Sequence, residues 1–338
     1  MSSFDPLWVP LLTHYEETPK LTLDRRRTSA HIKHLSDNVW QYLVAGTTGD
    51  GWEIPDDLLL DWISFIQDDE VFNEKHNILF GAFSQTTEGV IAKAGLIEEA
   101  IQQKPLRANY VGLTICAPIA PNATQEEITT HFERIIEATI SPLAIYQLPQ
   151  IVKCEIAPKT LQRLTEKTGR IILVKDTSGE DIIANSKLPM KGTKLLRGAE
   201  GDYSEQISGN GNYDGLLLST ANCFQSDLRN IINKLQDAEL YEIEDNQNIS
   251  LSALMAERDS IRLSTLVHSL FEVATSLPDG NAFSNINRAV DHIFCHGSDW
   301  ESKNVKLVSG NVLDKSFIAK VASMLNDANY KTGTGYMT

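Results

Sequence analysis

The sequence predicts an α/β fold: a (β/α)8 (TIM) barrel with a C-terminal helical extension. Three observations carry this. Eight short apolar runs fall within the first ~220 residues, most of them followed by an amphipathic segment. Such strand–helix alternation builds parallel βαβ units, and a (β/α)8 barrel takes about 250 residues. The runs are apolar on both faces, as strands buried in a parallel sheet are. The competing doubly wound sheet carries a glycine-rich phosphate fingerprint after its first strand, and Leu12-Thr13-His14-Tyr15-Glu16 has none.

The first strand is read over 7–12 and its helix over 23–35, with Thr22 as a candidate cap. The second strand, 42–45, precedes a helix over 55–66 that starts on a proline and two aspartates, residues suited to a first turn. The third strand, 77–80, precedes a helix over 87–103. The fourth, 110–115, precedes a helix over 124–138 opened by the capping box Thr124-Gln125-Glu126-Glu127. The fifth, 143–146, is followed by a helix over 158–167. The sixth, 171–175, is four apolar residues ending in Lys175, then the polar turn Asp176-Thr177-Ser178-Gly179-Glu180 and a helix over 180–186. The seventh, 194–196, and eighth, 215–218, are followed by helices over 204–208 and 225–235. Gly209-Asn210-Gly211-Asn212 precedes the eighth strand and reads as a turn at the far rim. Helical patterns continue over 251–276, 281–294 and 315–327, with a polar loop at 244–248 and a small, polar tail at 332–338 expected to fray. The expected division is a barrel over 1–223 and a helical region over 224–338 packed on it.

Composition narrows the function classes. Of 338 residues, 45 are acidic and 30 basic, a net charge of −15. No basic excess exists to neutralise phosphates, which argues against nucleic acid and anionic membrane as partners. Four widely spaced cysteines form no CxxC pair, so a zinc site or disulfide framework is not expected, and a reducing compartment is. The N-terminus shows no basic, apolar leader and no stretch reaches about 18 apolar residues, so a cytoplasmic location is the expectation.

In such a barrel, chemistry gathers at the C-terminal ends of the strands. A buried strand that ends in Lys175 delivers an amine to that rim, where partial desolvation favours the neutral form, a nucleophile toward ketones. A plain strand-terminal lysine that reaches solvent over its apolar stem gives the same local pattern. Gly46-Thr47-Thr48-Gly49-Asp50-Gly51 follows the second strand; its hydroxyls and amides can donate to a carboxylate. It matches neither a Walker A loop nor GxGxxG. Tyr146 ends the fifth strand and can relay a proton. Thr177 lies on the side of Lys175, Gly198 and Glu200 follow the seventh strand, and Ser219 the eighth. A lysine, a phenol and a threonine-rich anion loop at one rim suit a 2-oxo acid, pyruvate above all.

These residues, in this order, resemble the dihydrodipicolinate synthase and N-acetylneuraminate lyase family, the pyruvate-dependent class I aldolases, over about 7–222. Gly46-Thr47-Thr48-Gly49-Asp50 is similar to that family's GTTGE loop with Asp for Glu, and Tyr146-Gln147-Leu148-Pro149 to its YNxP with Gln for Asn. Val174-Lys175-Asp176-Thr177-Ser178-Gly179 resembles the Schiff-base segment, and 215–222 the last barrel strand. The resemblance implies that Lys175 forms an imine with pyruvate, Tyr146 mediates proton transfer and Thr47 and Thr48 hold the carboxylate. It implies a second partner, an aldehyde, no metal or organic cofactor, and a homo-oligomer, tetramer or dimer. Thr177, Gly198, Glu200 and Ser219 fall where the lyases bind the sugar chain, while Gly201 stands where those carry an acidic residue.

Two departures bear on the substrate. The synthases bring a tyrosine from a neighbouring subunit in a Pro-Tyr-Tyr-Asn segment, which here reads Pro118-Ile119-Ala120-Pro121. They also carry an arginine two residues past the YNxP proline, where this chain has Ile151. An apolar side chain cannot replace a bidentate guanidinium. Ile119 and Ile151 therefore disfavour dihydrodipicolinate synthesis, while the partly matched sugar-chain positions Thr177, Gly198, Glu200 and Ser219, with Gly201, favour a hydroxylated 2-oxo acid other than sialic acid, such as a 2-keto-3-deoxy sugar acid. A dehydratase using the same imine and a non-catalytic barrel that binds a 2-oxo acid are the alternatives.

Overall fold

A computed structural model describes residues 4–209, 211–244, 250–277, 279–330 and 333–337. Eight parallel strands, β1 (Leu7–Pro10), β2 (Gln41–Val44), β3 (Asn77–Gly81), β4 (Asn109–Cys116), β5 (Leu143–Gln147), β6 (Ile171–Asp176), β7 (Lys194–Arg197) and β8 (Gly215–Leu217), pair in sequence order. The barrel closes where Leu7 and Trp8 of β1 pair with Leu216 and Leu217 of β8. The helices between and after them are α1 (Arg25–Leu35), α2 (Asp56–Asp68), α3 (Thr87–Gln103), α4 (Gln125–Ala138), α5 (Pro149–Val152), α6 (Pro158–Lys167), α7 (Ile182–Asn185), α8 (Tyr203–Ile207) and α9 (Gln225–Glu244). Then come α10 (Leu251–Ala274), α11 (Ala282–His296) and α12 (Lys315–Asp327). No described helix is long and apolar enough to cross a membrane.

The eight expected strands all form, with ends displaced by up to two residues. The Thr124 capping box is present in both directions, its hydroxyl taking the Glu127 amide and the Glu127 carboxylate taking the Thr124 amide. One cap differs from expectation: α1 is capped by Asp24, whose carboxylate accepts the Arg27 amide at 2.9 Å, and Thr22 lies outside the helix. Aspartate is the stronger cap. Of the loop expected at 244–248, Glu244 still belongs to α9 and the rest lies outside the described residues, as does Asn210 in the turn before β8.

Strand alternation divides the core in two. Trp8, Leu43, Leu79, Ala144, Leu173, Leu196 and Leu217 form one cluster inside the barrel, with Val111 of β4 packed against it. Their neighbours along the strands, such as Leu7, Val9, Tyr42 and Val44, belong to the larger cluster between barrel and helices. Residues two apart share a face of a strand. Two residues beyond the inner Leu173 and Ala144 come Lys175 and Tyr146 on the same strands, so the pattern that fills the barrel also aims these two at its C-terminal mouth, where Gly198 and Ser219 follow the ends of β7 and β8.

The tail departs from the expected fraying. Among its described residues, the Tyr336 and Met337 amides bond the Phe294 and Cys295 carbonyls at 3.2 and 3.3 Å. The Tyr336 ring stacks on His34 with centroids 4.5 Å apart, and its hydroxyl donates to Asp291. One aromatic side chain with a buried carboxylate to bond anchors an otherwise small and polar segment.

Candidate active site

The barrel mouth opens into a cavity of about 960 Å³. Lys175, Tyr146, Thr47, Thr48, Thr177, Gly198, Glu200 and Ser219, from five separate stretches of chain, all line it. Lys175 is 4 % exposed and stands in register with Tyr146 on β5 and Leu196 on β7. Its amine lies 4.2 Å from the centroid of the Tyr146 ring. Among the described residues no carboxylate forms an ion pair with it, and the amine faces the Tyr146 ring.

Gly198 makes the space for that lysine. A Cβ there would lie 2.5 Å from the Thr177 hydroxyl and 2.6 Å from Lys175 Cε. The loop carrying Gly198 and Glu200 is stapled by Arg197, which donates to the Ala199 and Gly201 carbonyls at 2.9 and 2.6 Å. Glu200 is itself fixed: its carboxylate accepts from the Ser219 hydroxyl at 2.7 Å, the Thr220 amide at 3.0 Å and the Tyr203 hydroxyl at 3.0 Å. The Thr177 hydroxyl is buried on the cavity wall with no partner, a donor and acceptor left for a ligand. Gln147, which replaces the expected asparagine, bonds the Ile156 amide at 3.0 Å and so ties the segment after α5 to β5.

The loop after β2 is a 3₁₀ turn over Thr47–Gly49. Thr47 and Thr48 are its first residues, so their amides precede the first intrahelical bond. Asp50 follows in the left-handed region (φ 60°) and is buried. Its carboxylate takes the Arg288 guanidinium from α11 and the Tyr15 hydroxyl, the latter at 2.6 Å. Burial first, then the Asp50 charge, pushes the Tyr15 phenol well above its ordinary range, keeping it a proton donor to that carboxylate. The C-terminal helices also wall the cavity: Ser264, His268 and Glu272 come from α10, and Phe283, Ile286 and Asn287 from α11. Sequence reasoning missed Arg288 and this wall. Arg288 and Asp50 are 238 residues apart, and an arginine within an amphipathic helix carries no local sign of its partner.

Beside the barrel, His14, His31 and Asp291 form the one group among the described residues with metal-ligand proximity. Its donors are already committed to one another. His31 Nε2 lies 2.8 Å from the Asn222 carbonyl and can only donate there, and its Nδ1 shares a hydrogen bond with His14 Nε2 at 3.1 Å. Burial, then Arg27, pushes His14 well below the usual imidazole range, which fits a neutral ring. Asp291 takes Arg27 at 2.9 Å as well as Tyr336. The Arg27 guanidinium thus holds the positive position that a metal would need.

The sequence profile of the Dihydrodipicolinate synthetase family matches residues 6–274. A 4-hydroxy-tetrahydrodipicolinate synthase of Caldicellulosiruptor bescii is 26 % identical over 181 residues, 53 % of this chain and 57 % of that protein. The chain thus spans little more than half the length of that relative. One from Clostridium perfringens is 23 % identical over 301 residues, 88 % of this chain and 91 % of its own. Among solved structures, YagE of E. coli K12, a prophage protein in complex with pyruvate, superposes with a TM-score of 0.69 at 14 % identity, covering 96 % of this chain and 99 % of YagE. A Sulfolobus solfataricus 2-keto-3-deoxygluconate aldolase variant gives 0.71 at 17 % identity and covers 96 % of each chain.

Proposed function

The chain belongs to the dihydrodipicolinate synthetase family, and from that premise we propose that it is a Schiff-base (class I) aldolase, a carbon–carbon lyase using pyruvate through Lys175. One observation supports this above the rest: a buried amine with no ion-pair partner among the described residues, 4.2 Å over the Tyr146 ring, in a cavity lined by Thr47 and Thr48. Lys175 Nζ attacks C2 of pyruvate, and water leaves to give a protonated imine. The imine draws electrons from C3, whose proton departs with Tyr146 mediating, and the resulting enamine carbon attacks the carbonyl carbon of an aldehyde. The new alkoxide takes up a proton and water cleaves the imine, releasing a 4-hydroxy-2-oxo acid and free Lys175. Reversal cleaves the same acid. Thr47 and Thr48 hold the carboxylate by hydroxyl and amide donors. No metal or organic cofactor enters this sequence.

The favoured substrate is of the 2-keto-3-deoxy sugar acid type. Thr177, Glu200 and Ser219 offer hydroxyl-binding groups, and Ile151 lines the cavity where a carboxylate-bearing aldehyde would need a cation. The names of the curated relatives favour dihydrodipicolinate synthesis instead, and Ile119 and Ile151 weigh against it. The helical region over 224–338 is proposed as part of this unit, since α10 and α11 line the same cavity. A homo-oligomer, dimer or tetramer, is proposed on the family's precedent and is read by sedimentation.

Borohydride reduction in the presence of pyruvate, followed by mass spectrometry, tests the imine. The expected adduct lies on Lys175; its absence, with pyruvate shown to bind, refutes the proposal. Condensation assays with an uncharged polyhydroxy aldehyde and a carboxylate-bearing one separate the substrate readings. Pyruvate among the cleavage products separates aldolase from dehydratase.

A further inference from the structure

We infer that Trp52 is a positioning residue that fixes the Thr47 hydroxyl as a donor into the cavity and closes its outward side to proton movement. The inference rests on the imine reading above. Trp52 Nε1 lies 3.2 Å from Thr47 Oγ1. An indole N–H can only donate, so the Thr47 oxygen accepts along that line and its own proton must point elsewhere. Thr47 lines the cavity; the acceptor a ligand presents there is the carboxylate of a 2-oxo acid. Because the indole accepts nothing, Thr47 cannot hand a proton outward, and any transfer that uses it stays within the cavity.

The indole is well placed to hold this orientation. Its ring stacks on Phe83 at 4.9 Å with planes 19° apart, and Phe83 in turn meets the Tyr146 ring at 6.1 Å. The three rings form a rank that ends beneath the Lys175 amine. The backbone returns Trp52 over Thr47 through Asp50, left-handed and pinned by Arg288 and Tyr15, and through Gly51, where a Cβ would run into the Ala45 carbonyl. Thr47 thus finds its orienting partner five residues away in its own chain.

The test uses the full-length protein. With 15N-indole labelling, the chain's five tryptophans give five N–H resonances, and Trp52→Phe identifies the Trp52 signal. That signal should move in Thr47→Val; a signal indifferent to Thr47→Val overturns the inference whatever the protein catalyses. The second readout is deuterium exchange into the methyl group of pyruvate, followed by NMR. Trp52→Phe keeps the stack and loses the donor, and should slow exchange about two- to tenfold, the range of one net hydrogen bond. In a Thr47→Val background the same substitution should have almost no further effect, because Trp52 acts through Thr47. Equal slowing in both backgrounds means Trp52 acts by packing and overturns the inference. A wild-type protein that forms no Lys175 adduct refutes the imine reading instead, and with it the catalytic half of this inference, while the resonance shift still reports the contact.

Discussion

Gly198→Ala tests whether the cavity is built around Lys175. The added methyl would lie 2.5 Å from the Thr177 hydroxyl and 2.6 Å from Lys175 Cε, against ordinary contacts of about 3.5–4.0 Å. Something must therefore move by about 1 Å. The least constrained atoms are those of the lysine, so the fold yields cheaply and the chemistry does not. Overpacking costs about 1–3 kcal/mol, which at roughly 2 °C per kcal/mol for a chain of this size lowers Tm by about 2–6 °C. A nucleophile misplaced by about 1 Å reacts up to ~100-fold more slowly. The assay is the rate at which borohydride traps pyruvate on Lys175, with Tm from calorimetry as the control for folding. Gly95→Ala, in the interior of α3 with nothing near the new methyl, should raise stability by about 0.4–1 kcal/mol and leave trapping unchanged. Wild-type trapping by folded Gly198→Ala would refute the reasoning, because it would mean that the lysine does not use this path.

Four further outcomes are expected. Arg288→Leu leaves the buried Asp50 carboxylate without its counter-charge, costing about 3–5 kcal/mol in chemical denaturation, with weaker pyruvate binding as the Thr47 loop loosens. His292 Nε2 bonds the Trp300 carbonyl at 2.9 Å while its buried Nδ1 has no partner, and burial, then Arg27, holds its pKa down at about 4. The unfolded ring takes a proton near 6.5 that the folded one refuses. Stability should therefore be complete above about pH 6.5 and fall by up to about 3 kcal/mol toward pH 4, a slope that His292→Gln flattens in melts against pH. Tyr336→Phe removes a donor to the Asp291 carboxylate and should cost about 1–3 kcal/mol by the same denaturation assay. Ile151→Arg places a guanidinium on the cavity wall and should lower KM for a carboxylate-bearing aldehyde but not for an uncharged one.

The barrel was legible because its signals are local. Each strand is an apolar run, each helix announces itself by period and cap, and alternation from the inner Leu173 and Ala144 predicts where Lys175 and Tyr146 point. Thr47, Thr48 and Glu200 could be placed because they follow strand ends directly. The Asp50–Arg288 pair and the α10 and α11 wall could not, because they are fixed by the docking of elements distant in sequence. Trp52 was passed over for a different reason: an indole near a glycine-rich turn reads as packing, and only the 3.2 Å approach to the Thr47 hydroxyl reveals a donor. Tyr336 reversed the expectation for the tail because composition counts small, polar residues and cannot see one buried acceptor waiting for a phenol.

The Arg288 tie also sets an order of events in synthesis. The barrel's last strand, β8, ends at Leu217, so every strand leaves the ribosome more than seventy residues before Arg288 does. At that stage the Asp50 carboxylate can bond Tyr15 but lacks its counter-charge, and the turn bearing Thr47 is not yet clamped. A nascent barrel should therefore be closed but unable to hold a 2-oxo acid firmly. Contacts this distant in sequence are slow to form. Binding competence should arrive as a late, separate phase, when α11 docks across the mouth.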